Sequence, residues 1–452
     1  MAEWKRVKIS DILNRSRIPV DIRNDHTYKR VTIRINHKGV SLRDEAIGKK
    51  IGTKKQFVLK SGQFILSKID ARYGAFGIAP PEVDGAIITG NFWAYDFDRT
   101  IVTAEWINNY TNSTAFYDIC ERASSGITHR KYLDEKIFLN HELSLPPVEE
   151  QHNILQKFDR QKQLIVGLYS LIAKDAANLA KLRQTLLQEA IEGKLTADWR
   201  KQNPKLISSD NHASKLLEKI RTEKDRLISG GRIRREETQE PTYSFPISLP
   251  DEWASCRVID ISKQVTDGTH QTPTYVKDGM TFLSAQNVKP FRFIPENHQF
   301  VSKHAFEACR KSKVPEKGDL LVARVGAGIG EAAVIDQDIE FAFYVSLGLI
   351  KVFNQFTDSR YLAIVFNSPY GVSYSKGNTS SGGTSAGNYN LGRIRALEIP
   401  FPSLMEQRAI VERVEHFLNI IKELNSQITE RKDKSELLMQ SVLREAFEHN
   451  HV

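Results

Sequence analysis

Midway along the chain the apolar residues settle into a clear period. From Ile154 they recur at alternating steps of four and three, through Phe158, Ile165, Leu168, Ile172, Leu179, Leu182 and Leu186. A second run repeats this through Ile410, Val414, Phe417, Ile421, Leu424, Ile428, Leu438 and Val442. Such steps keep one stripe on one helix face, and about five heptads of it predict a coiled coil. Gln161 and Asp175 interrupt the first stripe, Arg431 and Ser435 the second. The runs open on Pro146-Pro147-Val148-Glu149-Glu150-Gln151 and Pro402-Ser403-Leu404-Met405-Glu406-Gln407. Proline loses nothing in a first turn, where its missing N–H has no partner, and carboxylates favour the positive end of the helix. A helix of roughly 44 residues is about 65 Å long. Neither stripe is buried alone, so the two helices are expected to pair antiparallel. A charge on the stripe, as in Ile172→Asp or Leu424→Asp, is expected to uncouple the halves. Off the stripe, Val166, Tyr169, Leu171, Ala173, Ala176 and Ala177 predict a further partner packed on the same rod.

The two runs are copies of each other. Pro146 to Ile154 aligns with Pro402 to Ile410, and the register holds without a gap to Leu187-Gln188-Glu189-Ala190 against Leu443-Arg444-Glu445-Ala446. The same offset brings Ser124-Ser125-Gly126 onto Ser380-Ser381-Gly382, and Gly62 onto Gly318. Glu3-Trp4 and Asp11-Ile12 resemble Glu252-Trp253 and Asp260-Ile261 at a slightly shorter separation. A tandem duplication of a divergent domain followed by a better-kept helix accounts for all of these. The boundaries read as a first domain over 1–145, a central helical region with linker over 146–245, a second domain over 246–399 and a C-terminal helical region over 400–452. After Gly193 a short charged helix is expected from about Ser209 to Ile228, and Ser229 to Pro246 reads as a linker.

Each divergent domain mixes short strands (Phe57-Val58-Leu59, Phe64-Ile65-Leu66, Ile87-Ile88, Thr281-Phe282-Leu283, Phe343-Tyr344-Val345) with helical stretches at Ala104 to Glu121 and Ser359 to Phe366. The fold class is α+β: two mixed α/β domains joined by two long helices in an antiparallel coiled coil, with pseudo-twofold symmetry. One stretch, Leu320 to Val334, looks like a nucleotide loop because of Gly326, Gly328 and Gly330. Its spacing misses G-x-G-x-x-G by one residue, and the copy at Asp70 to Ile78 lacks two of the three glycines. A phosphate cradle needs bare backbone at fixed points, so the loop reads as a tight turn between strands.

Composition narrows the function. The chain has 452 residues and a formal net charge of +9. Met1 to Arg72 carries 18 Lys and Arg against 7 Asp and Glu, an excess that points to a polyanionic partner. No apolar run approaches the ~20 residues of a membrane span, and MAEWKRVKIS lacks a signal-peptide core. Three scattered cysteines (Cys120, Cys256, Cys309) fit reduced thiols and a cytoplasmic location. No Asn-Pro-Pro-Tyr or Asp-Pro-Pro-Tyr methylation motif, Walker loop or HExxH is present. Neither Asp267 with His270 nor His449 with His451 makes a convincing metal or acid–base set. Catalytic residues, metal ligands and bound cofactors are therefore not expected.

Candidate DNA contacts are the basic and carboxamide side chains gathered in loops, since Arg and Lys neutralise phosphates or reach guanine while Asn and Gln pair with adenine. In the first domain these are Lys29, Arg30, Arg34, Asn36, Lys38, Lys49, Lys50, Lys54, Lys55 and Arg72. In the second they are Thr269, His270, Gln271, Thr272, Tyr275, Gln286, Asn287, Arg324, Ser380, Ser381 and Thr384.

The whole layout resembles the specificity subunit of type I restriction-modification enzymes. The Pro-Pro-x-x-Glu-Gln opening at Pro146 to Gln151, the Leu-Leu-x-Glu-Ala close at Leu186 to Ala190, Asp267 to Pro273, Gly318-Asp319-Leu320-Leu321 and Ser380 to Thr384 carry the likeness. Departures are Pro402-Ser403 in the second opening and the lack of a first-domain counterpart to His270. The resemblance implies a non-catalytic subunit whose two target-recognition domains each read half of a split, asymmetric double-stranded DNA target. The rod would set the gap and dock two methyltransferase subunits, which bring S-adenosylmethionine and methylate adenine at N6. Motor-nuclease subunits would bring ATP and Mg2+ chemistry. Duplicated domains on a rigid spacer also suit half-sites about 34–36 Å apart. Two alternatives stay open: the specificity chain of a fused methyltransferase-nuclease system, and a coiled-coil adaptor that grips proteins.

Overall fold

The computed structural model describes residues 4–127, 130–235, 248–379 and 387–448. It divides into two compact units, Met1–Asp175 with Gln427–Val452, and Ala176–Ser426. The long helices, Val148–Ile191 and Leu404–Phe447, are 44 residues each. Each unit thus holds one divergent domain, the opening of one long helix and the close of the other.

One sheet is common to both units. In the first, strands Leu13–Ser16, Phe92–Phe97, Phe64–Ser67 and Phe76–Ile78 lie side by side in that order, all antiparallel. In the second, Ser262–Asp267, Leu347–Val352, Leu320–Ala323 and Ala332–Val334 repeat the order and the sense. The third strand of each is buried along its whole length. An unbroken apolar run needs cover on both faces, and both runs have it. Phe64 and Leu66 face the helices while Ile65 faces a second core; Leu320 and Val322 repeat the first role and Leu321 the second.

The outer layer is where the domains part. The first unit adds a five-stranded sheet in the order Pro19–Asp21, Lys55–Val58, Ile87–Ile88, Thr27–Ile33 and Val40–Ile47. The second has a four-stranded sheet in the order Tyr275–Val276, Gln299–Val301, Met280–Leu283 and Ala342–Phe343.

The glycine-rich stretch turns the chain between two antiparallel neighbours, Leu320–Ala323 and Ala332–Val334. Gly326 and Gly330 take φ values of +90° and +87°, and a Cβ at Gly330 would lie 2.1 Å from Ser375 Oγ. The glycines serve the turn. Of the two expected helices, that over Ala104 to Glu121 is broken in two and that over Ser359 to Phe366 is present in full. Ala104–Tyr110 is separated from Thr114–Arg122 because Ser113 caps the second piece, accepting from Phe116 N. Ser359–Asn367 is followed by Pro369–Gly377, capped by Ser368 in the same way.

Helix pairing is antiparallel within each unit. In the first, Leu155, Phe158 and Ile165 share a core with Val442, Leu443, Ala446 and Phe447, and the Phe158 and Phe447 rings are 5.1 Å apart. In the second, Leu187, Ala190 and Ile191 share a core with Ile410, Val411 and Val414. The stripes differ from the expectation in width. One side chain per heptad is enclosed: Phe158, Ile165, Ile172, Leu179 and Leu186 on one helix, Val414, Ile421, Ser435 and Val442 on the other, with Ile428 half-buried. Ile154 is half-buried and Ile410 buried. Leu168, Leu182, Phe417, Leu424 and Leu438 are each more than a third exposed. Of the two rows in the stripe, only one is covered by the neighbouring helix.

After Gly193 the expected charged helix begins four residues later than read from the sequence and packs onto the second unit. Helix Ala213–Ser229 puts Ala213, Leu216 and Ile220 into the second unit's core. Ahead of it, Thr196 Oγ1 donates to Glu406 at 2.7 Å, Arg200 pairs with the same carboxylate, and Trp253 Nε1 donates to it at 2.9 Å. Glu406 is fully buried, and burial pushes its carboxyl above the usual range against the lowering effect of these donors.

Candidate nucleic-acid interface

A shared joint holds each domain on its helix. Gln151 Nε2 donates to the carbonyls of Ile101 and Pro146, and its Oε1 accepts from Thr103 N. Gln407 Nε2 donates to Phe356 and Pro402, and its Oε1 accepts from Asp358 N. Thr103 and Asp358 are the N-caps of the helices beginning at Ala104 and Ser359. The glutamine of the opening motif therefore fixes the start of a long helix to the start of a domain helix.

In the first unit the candidate residues fall into two groups on the hairpin of Thr27–Ile33 and Val40–Ile47. Arg34, Asn36 and Lys38 occupy its tip and are exposed. Asn36 and His37 take positive φ, and their amides donate to the carbonyls of Tyr73 and Gly74. His37 is turned inward, 3.0 Å from the Thr111 hydroxyl and edge-on to Phe76. Burial, helped by the charge of Lys162, holds its pKa below the ordinary histidine value. The tip thereby meets Arg72, whose guanidinium lies 4.5 Å over the exposed Tyr73 ring. At the hairpin's other end are Lys49, Lys50, Lys54 and Lys55, about 23 Å away for seven extended residues. Lys54 is tied to Asn24 Oδ1 and Gly48 O, and Lys29 donates to Glu82 O, so both brace loops. Arg30, between the groups, forms a two-point pair with Asp44.

In the second unit the loop from Asp267 to Tyr275 is held at its root and open at its crest. Gly268 lies so close to the neighbouring strand that a Cβ would be 2.1 Å from Phe343 O. Thr269 bridges to Tyr344, Thr272 Oγ1 donates to the Tyr344 hydroxyl at 3.2 Å, and Lys313 Nζ donates to Gly268 O. His270, Gln271, Thr272 and Tyr275 are exposed, with His270 Nε2 3.3 Å from Asp267 Oδ2. Gln286 is exposed on a neighbouring turn.

Two candidates are placed elsewhere than expected. Arg324 is buried, paired with Asp267 and donating to the carbonyls of Val345 and Tyr389. Asn287 is also buried; its carboxamide donates to Ile294 O and Asn297 O and accepts from Ser284 N. All their hydrogen bonding goes into holding loops, so neither is a surface contact. Ser380, Ser381 and Thr384 lie outside the described residues. Tyr73, Lys313 and Tyr344 join the two surfaces without having been singled out. Tyr73 was findable as an aromatic beside Arg72, whereas Lys313 and Tyr344 are distant in sequence from the loop they support.

A family model described as the type I restriction modification DNA specificity domain matches residues 1–170 and 250–430. The EcoBI specificity subunit of Escherichia coli is 38% identical over 109 residues, 24% of this chain and 23% of that relative. The EcoEI specificity subunit, also from E. coli, is 22% identical over 368 residues, 70% of this chain and 60% of that one. The chain thus matches less than a quarter of the first relative's length. Among solved structures, the HsdS subunit from Thermoanaerobacter tengcongensis superposes with a TM-score of 0.53 at 17% identity, covering 98% of this chain and 96% of its own. A chain from a study of assembly and conformational transition in the type I R-M system gives a TM-score of 0.69 at 17% identity, covering 99% and 98%. These two share the fold. The family match falls once on each copy of the duplicated domain and runs into the long helix that follows it, and the chain belongs to the type I restriction-modification DNA specificity family.

Proposed function

We propose that the chain reads a split double-stranded DNA target, one half-site per domain, as the non-catalytic specificity subunit of a type I complex. The observation that supports this best is the pair of different polar surfaces, Arg34 to Lys38 with Arg72 and Thr269 to Tyr275, in domains that share one repeated sheet and are locked by Gln151 and Gln407 to the long helices. Because the outer sheets differ, the two half-sites differ. Two methyltransferase subunits dock on the open row of the helices, Leu168 and Leu438 in the first unit, flanked by the exposed Leu164 and Leu171, and Leu182, Phe417 and Leu424 in the second. Exposed leucines and phenylalanines in rows call for apolar cover. Those subunits supply S-adenosylmethionine chemistry, and motor-nuclease subunits supply ATP and Mg2+ chemistry, in the cytoplasm.

Sequencing modified bases in cells with and without this gene, in the presence of an active partner methyltransferase, tests the reading. A split adenine-methylated motif that disappears with the gene is expected. An unchanged methylation pattern defeats it.

A further inference from the structure

Arg30, Arg43 and Asp44 share one face of the first domain's outer sheet because of a local irregularity. The pairing of Thr27–Ile33 with Val40–Ile47 runs Arg30 against Asp44 and then Val31 against Leu42, which leaves Arg43 as an extra, bulged residue. A bulge breaks the alternation of side chains and re-aims its residue. Arg43 consequently joins Arg30 beside the same carboxylate, Nε 3.4 Å from Asp44 Oδ2. All three are solvent-accessible, and the two arginines line a cleft of about 240 Å³ together with Thr53, Gln56, Thr89 and Phe92.

The Arg30 pairing is side-on. Its Nε donates to Asp44 Oδ1 at 2.6 Å and its Nη2 to Oδ2 at 2.7 Å. This fixes the guanidinium plane and leaves the far edge, Nη1 with the second hydrogen of Nη2, pointing away from the carboxylate. A two-donor edge of that shape matches the O6 and N7 acceptors of guanine in the major groove. A phosphate suits the site less well, because Asp44 sets a negative charge directly behind the fork.

Resting on the proposed DNA reading, we infer that Arg30, held in position by Asp44, reads one guanine in the half-site of the first domain, with the bulged Arg43 at the rim of the same cleft. The test uses the full complex with its methyltransferase. The methylated motif is determined for the wild-type chain, Arg30→Ala, Arg30→Lys and Asp44→Asn. Binding is then measured on target duplexes carrying 7-deazaguanine at each guanine in turn. Arg30→Ala should relax one guanine of one half-site, with discrimination falling about 10- to 100-fold. The half-site read by the second domain stays fixed, which also reports that the complex has assembled. Asp44→Asn should relax the same position by less, and 7-deazaguanine there should weaken the wild type but not Arg30→Ala. An unchanged motif in Arg30→Ala, a first half-site without guanine, or a uniform loss across all sequences with a shallower salt dependence overturns the inference while leaving the DNA reading intact. A wild-type chain that directs no split motif removes both.

Discussion

At the opening of both long helices a glutamine makes the same three hydrogen bonds, yet the glutamate just before it has opposite surroundings in the two units. Glu406 is fully buried among Thr196, Arg200 and Trp253, whereas Glu150 is half-exposed and accepts from Asn153 Nδ2 at 3.4 Å. The difference comes from the segment after Gly193, which supplies Thr196 and Arg200 to the second unit. Duplication preserved the joint between domain and helix in both copies. The glutamate beside it became a core residue where neighbouring chain enclosed it.

That contrast is open to a direct stability measurement. Glu406→Ala strands a buried guanidinium and an indole N–H, so it should cost about 3–5 kcal/mol, against about 0.5 kcal/mol or less for Glu150→Ala at a half-exposed site. Thermal unfolding of the two variants checks this, and equal shifts would erase the distinction. A similar contrast separates the covered and open rows of the helices. Ile172→Asp puts an unpaired charge at a buried position and should cost about 2–3 kcal/mol, with faster proteolysis. Leu424 lies on the open row, so Leu424→Asp, contrary to what the apolar stripe alone suggests, should not uncouple the halves. It should leave protease resistance unchanged and instead weaken co-purification of a methyltransferase subunit.

Smaller effects sharpen the comparison of loops. Gly268→Ala forces a Cβ against Phe343 O and should cost about 2–3 kcal/mol. Gly326→Ala meets no atom within 4 Å and bears only the positive-φ penalty, about 1 kcal/mol. Paired melting curves distinguish the two. The smallest effect is expected from His37. Its folded pKa is held below its unfolded value, so the unfolded chain takes up the proton first. The stability His37 contributes is complete above about pH 6.5 and falls as pH drops from there through the folded pKa. His37→Gln should flatten that part of the first unit's pH–stability curve, and an unaltered slope would assign it to other groups.

The period of the apolar residues showed the long helices, and the 256-residue register showed which elements repeat, because both depend on patterns local in sequence. The same patterns could not show that one row of each stripe is open, since cover depends on how two helices approach. Phe64–Ser67 and Leu320–Ala323 were legible as strands because burial on both faces leaves continuous apolar runs, Phe64 to Leu66 and Leu320 to Ala323. The outer sheets were legible only in pieces such as Ile87–Ile88: Gln299–Val301 is too short to show a period, and the long strands Thr27–Ile33 and Val40–Ile47 are rich in polar and charged residues. Among site residues, exposed loop groups such as Arg34 and Lys38 stood out by charge. Arg324 and Asn287 carry the same chemical types but spend their donors inside the fold, and nothing in their sequence neighbourhoods separates an inward from an outward side chain.

The carboxamide joint at Gln151 has a mechanical corollary. It bonds backbone groups on both sides of the connection, at Ile101 and Thr103 and at Pro146. On the proposed DNA reading, torque applied to the domain by a bound duplex would pass into the first turn of the long helix with little slack, and would reach any subunit seated farther along that helix.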